Sequence, residues 1–282
     1  MHSSSPGHRA RALALAHVES RSVGPELDRV HRITLNFHPD RVAGGVPILV
    51  ALAESGRYFS QFVTRTSNGG LTAHPGGDRW NWESRNFAGA YDEADPTERP
   101  IYGALNFRSL PYGAAPRFGS AHLRLTADSA TRATFCYPDS AAEPTDFGTA
   151  GRMGLIALAQ ADDTRDTLDD YIEAHVHGPV FVDDDVEALV LDPCYRGTDV
   201  EAAAARLPCA VEWHGGFRLS VEKMAEYPDF RGPEFVDLGK RIAVDGWLDP
   251  KVIGDAVARG ADDPQSLKRV WHYLARFGAP NA

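Results

Sequence analysis

Three ionisable side chains at alternate positions dominate the chemistry this chain can offer. In Tyr171-Ile-Glu-Ala-His-Val-His-Gly178, extended backbone puts Glu173, His175 and His177 on one face. Ile172, Ala174 and Val176 take the other face. A carboxylate on a core strand can act as a general base. It can also hold a sugar hydroxyl and stabilise an oxocarbenium-like transition state electrostatically, with neither a metal nor a nucleophilic side chain. The His-x-His pair offers a second chemistry. Two imidazoles two residues apart on a strand can share a metal if His214, Glu173 or Asp192 supplies a third ligand. A lone His-x-His is a weak signal, so no metal ligand is assigned, and the histidines are read as structural or substrate-contacting.

Further candidates lie upstream. Asn36-Phe-His-Pro-Asp-Arg41 puts His38 at the end of a predicted strand and Arg41 in the next turn. That pair suits a ribose hydroxyl and a phosphate, because a guanidinium fork matches phosphate geometry. Arg65-Thr-Ser-Asn-Gly-Gly70 joins hydroxyls, an amide and freely turning backbone, which marks Ser67 and Asn68 for an anion or an amide-bearing ring. In Arg117-Phe-Gly-Ser120, Arg117 could clamp a pyrophosphate, Phe118 could stack and Ser120 could donate a hydrogen bond. The glycine-rich stretch carries neither the GxxxxGK[ST] phosphate loop nor GxGxxG, and no serine stands in a GxSxG elbow.

The 282 residues suffice to bury a sizeable core. A net charge of −10 disfavours phosphate backbones as partners, although a local basic groove would be compatible with one. Cys136, Cys194 and Cys209 match neither a zinc motif nor a CxxC pair and read as thiols in a reducing compartment. No apolar run reaches the ~20 residues of a membrane helix, and Ala10–Ala16 is too short for a signal-peptide core. The expected location is the cytoplasm, or a target cell reached as a delivered effector, without membrane insertion.

These residues need elements to position them. Helices are expected over 9–19, 47–56, 150–161, 199–207 and 268–276. Strands are expected over 30–37, 58–63, 102–106, 119–125, 133–137, 172–176 and 186–191, each bounded by Pro, Gly or Asp. Helical signals between 83 and 95 are weak. Strands mixed with helices, without regular βαβ alternation, predict an α+β fold with a mixed, mostly antiparallel sheet. The expected division is an N-terminal helical extension over 1–27, a catalytic α+β domain over 28–215, and a helical C-terminal extension over 216–282 packed on it.

Leu35–Arg41, Tyr58–Phe62, Ser67–Gly70, Tyr102-Gly-Ala-Leu-Asn106, Arg117–Ser120 and Tyr171–Gly178 together resemble a bacterial family described as a domain of unknown function. Their order is also similar to the ADP-ribosyltransferase superfamily, and within it the DarT-like enzymes that modify nucleic acid. In that superfamily a first strand ends in His or Arg, central strands carry aromatic, Ser/Thr or Arg residues, and a late strand carries the catalytic glutamate. The Q/ExE motif is absent, since residue 171 is Tyr171. The resemblance implies a glycosyltransferase that uses NAD as substrate, binding it in a cleft between strands. Its nicotinamide would stack on Tyr or Phe. Glu173 and His38 would be catalytic. Arg41, Ser67, Asn68, Tyr102, Asn106, Arg117, Phe118, Ser120 and His175 would bind NAD. The acceptor would be a protein side chain, a nucleobase or a small molecule. Two alternatives stand beside this reading: a metal-dependent hydrolase using His175 and His177, and a non-catalytic toxin-associated binding module.

Overall fold

The computed structural model describes residues 6–64 and 71–280. Eight strands form one sheet: β1 (Ile33–Phe37), β2 (Ile101–Leu105), β3 (Ala121–Leu125), β4 (Ala133–Tyr137), β5 (Asp146–Thr149), β6 (Ile172–Val176), β7 (Val186–Leu191) and β8 (Ala210–Trp213). Their spatial order is β8-β7-β3-β1-β2-β6-β4-β5. Every neighbouring pair is antiparallel except β7–β8. The fold is therefore α+β around a mixed, mostly antiparallel sheet. Among the described residues, no helix is long and apolar enough to cross a membrane.

Alternation decides what each face of the sheet meets. Ile33, Leu35, Leu105, Leu123, Phe135, Ile172, Ala174 and Val176 join one core. Leu49 and Leu52 of α2 (Ile48–Ser55), Leu155 and Ala159 of a helix over Leu155–Ala161, and Ala203 and Ala204 of a helix over Asp199–Ala204 complete it. Pro47 precedes α2 and Gly56 ends it in the left-handed conformation at φ 63, as Pro and Gly at those positions predict. The opposite face carries Thr34, Asn36, Tyr102, Thr134, Glu173 and His175, and it is also largely buried. Two units cover it. One is α1 (Pro6–Glu19) with α3 (Asp78–Asn86), whose Val18 and Trp82 share a cluster with Phe87 and Tyr91. The other is the C-terminal helical layer, which has a core of its own. Its last helix, α4 (Pro264–Phe277), docks through Trp271, whose Nε1 donates to the carbonyls of Pro116 and Arg117 at 3.0 and 3.1 Å.

Some elements differ from expectation. Residues 58–63 form no strand beyond the Arg57–Tyr58 bridge and turn helical at Gln61–Thr64. The only pairing offered there is the two-residue Val180–Phe181, too short to extend a ladder. The weak helical signal after residue 83 belongs to a helix that starts earlier, at Asp78. Its Asn, Ser and Trp residues have low intrinsic propensity, and burial of Arg79, Trp82 and Glu83 supplies the stability instead. Strands β5 and β8 were not expected. Both lie at sheet edges, where one-sided pairing leaves little alternation to read.

The sheet is forked. β1 pairs with β2 only at Ile33↔Leu105 and Thr34↔Ala104. Beyond this, β1 continues on β3 as far as Phe37↔Ala121, while β2 continues on β6 as far as Ile101↔Val176. The two halves part, and a cleft of ≈ 210 Å³ opens between them. Thr34, Asn36 and Phe37 line one side, Ile101 and Tyr102 the other, and Glu173 contributes from the polar face.

Gly103 sits at the branch point. A Cβ there would lie 2.5 Å from Leu35 Cδ2 and 2.8 Å from the Thr34 carbonyl oxygen. Gly103→Ala is expected to cost about 1–3 kcal/mol, since the last paired residues of β1 and β2 would have to shift. Urea denaturation measures this, and an unchanged midpoint would mean that the fork is looser than its contacts indicate.

Candidate active site

Glu173 is 6% exposed and is the second residue of β6, between Ala104 of β2 and Cys136 of β4. Its Oε1 lies 3.0 Å from His175 Nε2 and 3.7 Å from Arg79 Nη1. Burial works against the charge of this carboxyl. The His175 hydrogen bond, Arg79 and the Ser140 hydroxyl outweigh it and hold the group below its ordinary range. Glu173 is therefore an ionised, acceptor-only carboxylate at neutral pH.

That charge sets the direction of a hydrogen-bonded chain behind it. Since Glu173 can only accept, His175 must carry its proton on Nε2, and its Nδ1 then accepts from Thr134 Oγ1 at 3.1 Å. The hydroxyl, having donated, accepts from His177 Nε2 at 2.9 Å. Nδ1 of His177 in turn accepts from the Tyr91 hydroxyl at 2.7 Å. All five groups are buried. Burial keeps both imidazoles neutral by lowering them, His177 well below its ordinary value. Trp82, Phe87 and Tyr91 pack against the two rings.

Arg79 comes from α3 and is itself 3% exposed. Its Nη1 donates to Ser140 Oγ at 2.6 Å, and its guanidinium carbon stands 3.9 Å above the Tyr102 ring. Tyr102 donates to Glu83 Oε1 at 3.0 Å, and Arg99 Nη1 meets Glu83 Oε2 at 2.6 Å. Burial pushes Glu83 up to about 7, with Arg99, Tyr102 and Arg79 pulling it back. The i, i+4 spacing of Arg79 and Glu83 on one helix face makes both available to the same tyrosine. Neither residue was singled out from the sequence. The signal available was that spacing around Trp82, hidden in a stretch of poor helix formers.

Of the candidates named from sequence, Glu173, Tyr102 and Phe118 line the cleft, and His175 stands directly behind Glu173. His38 is not among the lining residues. Its ring meets Trp271 edge-on at 4.9 Å, and burial, Arg41 and Lys268 lower it to about 3, so it is neutral and faces the helical layer. Arg41 stays with it in the turn and does not line the cleft. Asn106 is a turn residue that accepts from Leu110 N and donates to Leu110 O, both at 2.9 Å. Arg117 forms an ion pair with Asp169, away from the cleft. Ser120 is fully buried and does not line the cleft either. Ser67 and Asn68 lie outside the described residues. Asn36, left unassigned, is in the cleft wall, and its side chain ties β1 to the carbonyls of Tyr112 and Gly119.

The metal alternative changes composition. Both ring nitrogens of His177 are taken by Tyr91 and Thr134, so the His-x-His pair does not converge on one point. His214 and Asp192 stand 3.9 Å apart, with His214 hydrogen-bonded to the Ser120 carbonyl and Asp192 to the amides of Cys194 and Phe217. Cys136, Glu173 and His175 do bring one ligand atom each within 4.8 Å of one another. Arg79 already compensates the carboxylate of that group.

A family profile described as a protein of unknown function (DUF3626) matches residues 32–167 and 154–277. The matched segments take in the whole sheet and nearly all of the helical layer, and the chain belongs to this family. No curated protein matches it.

Two outcomes test the site. Thr134→Val removes the hydroxyl that joins the two imidazoles and is expected to cost about 1–3 kcal/mol in urea denaturation, whereas Thr134→Ser retains most of the stability. The second outcome concerns Glu83. Its folded value near 7 lies above an unfolded value of about 4.3, so its contribution is full below the unfolded value and is lost as pH rises through about 7. Relative to Glu83→Gln, the native protein should therefore lose unfolding free energy between pH 5 and 7, by at most about 1.4 kcal/mol per pH unit. Taking the difference cancels the opposite slope of the buried histidines. A pH-independent difference would show that Glu83 stays ionised throughout.

Proposed function

We propose that the cleft binds NAD, that Glu173 promotes cleavage of its nicotinamide–ribose bond, and that ADP-ribose passes to a nucleophilic acceptor. The observation that carries this reading is an ionised carboxylate, held by Arg79 and His175, at the wall of a cleft between two diverging strands. The family resemblance in motif order points the same way. As the C–N bond breaks, its electron pair leaves with the nicotinamide ring, which becomes neutral. The ribose is left cationic at its anomeric carbon. Glu173 would hold a ribose hydroxyl and offset that developing charge. The acceptor's lone pair then makes the new bond, and its proton passes to solvent.

The cleft has further chemistry for such a ligand. Tyr102 and Phe118 offer aromatic surface for a flat ring. Arg79 Nε and Gln61 Oε1 are buried lining atoms without a hydrogen-bond partner among the described residues, one a donor and one an acceptor. A carboxamide can satisfy both kinds.

The test is incubation with NAD followed by mass spectrometry for free nicotinamide and for adducts on a panel of proteins, oligonucleotides and small molecules. Turnover by the native protein should fall by about 10²–10³ in Glu173→Gln, with circular dichroism and NAD-induced thermal shift retained. Absence of both products and of any thermal shift would remove the proposal. Binding without turnover in the native protein would favour a binding module. Stoichiometric metal in the purified protein, lost on Cys136→Ser, would favour a metal-dependent hydrolase built on Cys136, Glu173 and His175.

A further inference from the structure

The chain carries a net charge of −10, yet cations gather where α4 meets the turn at 116–118. Lys268, Arg269 and His272 stand at i, i+1 and i+4 of α4 and share part of one helix surface. Trp271 fixes Arg117 against that helix by donating to its carbonyl. Arg231 arrives from the loop ahead of the helix Pro233–Ile242, and its backbone N–H meets the Tyr273 hydroxyl at 3.2 Å. Carboxylates stand beside these arginines. Asp169 serves both Arg117 and, at 4.0 Å, Arg231. Asp166 is engaged with Arg276 at 2.9 Å.

Within this cluster, hydrogen-bonding capacity is buried and unused. His272 is 0% exposed, and neither ring nitrogen has a partner among the described residues. Arg231 Nε and Nη2 are likewise buried without a hydrogen-bond acceptor. Burial, followed by Arg117, Arg231, Lys268 and Arg269, drives His272 down to about 2, in keeping with its place between Trp271, which holds Arg117, and Tyr273, which meets Arg231. Leaving such donors unmade costs about 1–3 kcal/mol each. A tetrahedral oxyanion supplies the missing acceptors and offsets the repulsion among the cations.

We propose that Arg117, Arg231, Arg269 and His272 form a binding site for a phosphate group, separate from the cleft. The ligand is a compact terminal phosphate, because the open donors of His272 and Arg231 are buried and form no exposed track along which a phosphodiester backbone could run. Asp169 occupies part of the site as an internal competitor. The inference does not depend on the reading of Glu173.

Calorimetric titration of the full chain with inorganic phosphate, at constant ionic strength set with chloride, tests it. Phosphate should bind saturably. Arg269→Gln, which alters an exposed side chain, and Arg231→Gln should each weaken binding by about tenfold or more. Asp169→Asn should tighten it. The His272 ring nitrogens, observed by ¹⁵N NMR, should move from the neutral towards the protonated pattern as phosphate is added. A nucleoside monophosphate that competes with phosphate identifies the source as a phosphomonoester, and one that fails to compete leaves the free ion. Heat no different from added chloride, or binding unaffected by both arginine substitutions, would overturn the proposal. Binding of an oligonucleotide but not of phosphate would overturn it equally.

Discussion

The attraction between one buried carboxylate and one buried guanidinium governs this structure. Glu173 and Arg79 are 6% and 3% exposed, and each would be costly alone. At an effective dielectric near 20, charges about 4 Å apart attract by roughly 4 kcal/mol, comparable with the several kcal/mol needed to desolvate each ion. The pair is therefore near balance, and its neighbours decide its state. His175, Ser140 and Tyr102 tip that balance towards two charges by hydrogen bonding to the carboxylate and covering the guanidinium face.

From this pair the surrounding architecture follows. Arg79 can reach Glu173 only if α3 lies across the polar face of the sheet, and α3 lies there because Trp82 packs on His175 while Glu83 meets Tyr102 and Arg99. The imidazoles can line up behind Glu173 only if Thr134 of β4 pairs opposite His175 of β6, which is the register observed. A one-residue slip would turn Thr134 to the apolar face and leave two histidine nitrogens unmet. Polar satisfaction and strand register thus enforce each other.

The sequence disclosed the components with strong local periodicity. Strand β6 and its two faces were legible because Ile172–Val176 alternates without interruption, and α2 because Pro47 and Gly56 bracket it. Alternation alone does not tell whether a polar strand face meets solvent or a second layer. Both faces of β6 are covered, one of them by α1 and α3, which lie far away in the chain. The fork was illegible for the same reason, since it depends on which neighbour β1 and β2 each follow after two shared residues. Arg79 and Glu83 escaped notice because their helix is held by burial and not by propensity. Arg117 was recognised as an anion-facing cation, but the strand turn aims it at α4, and Phe118 alone of that pair faces the cleft.

A polar sheet face needs a reason to persist. Hydrogen bonds that only satisfy one another contribute little net stability, and an apolar face of similar volume would cost less to bury. Here Glu173, Thr134, His175, His177, Arg79 and Glu83 are nearly or wholly withdrawn from solvent, yet the network is not closed. It terminates at the fork, where Glu173 and Arg79 reach the cleft and Arg79 Nε and Gln61 Oε1 have no partners among the described residues. A structural network would be expected to satisfy its last members internally. One that is ordered throughout its depth and left open at a single end has the form of a support for whatever enters there. In the proposed reaction such a network would hold the Glu173 carboxylate in place before NAD arrives, leaving little reorganisation to oppose charge stabilisation at that point.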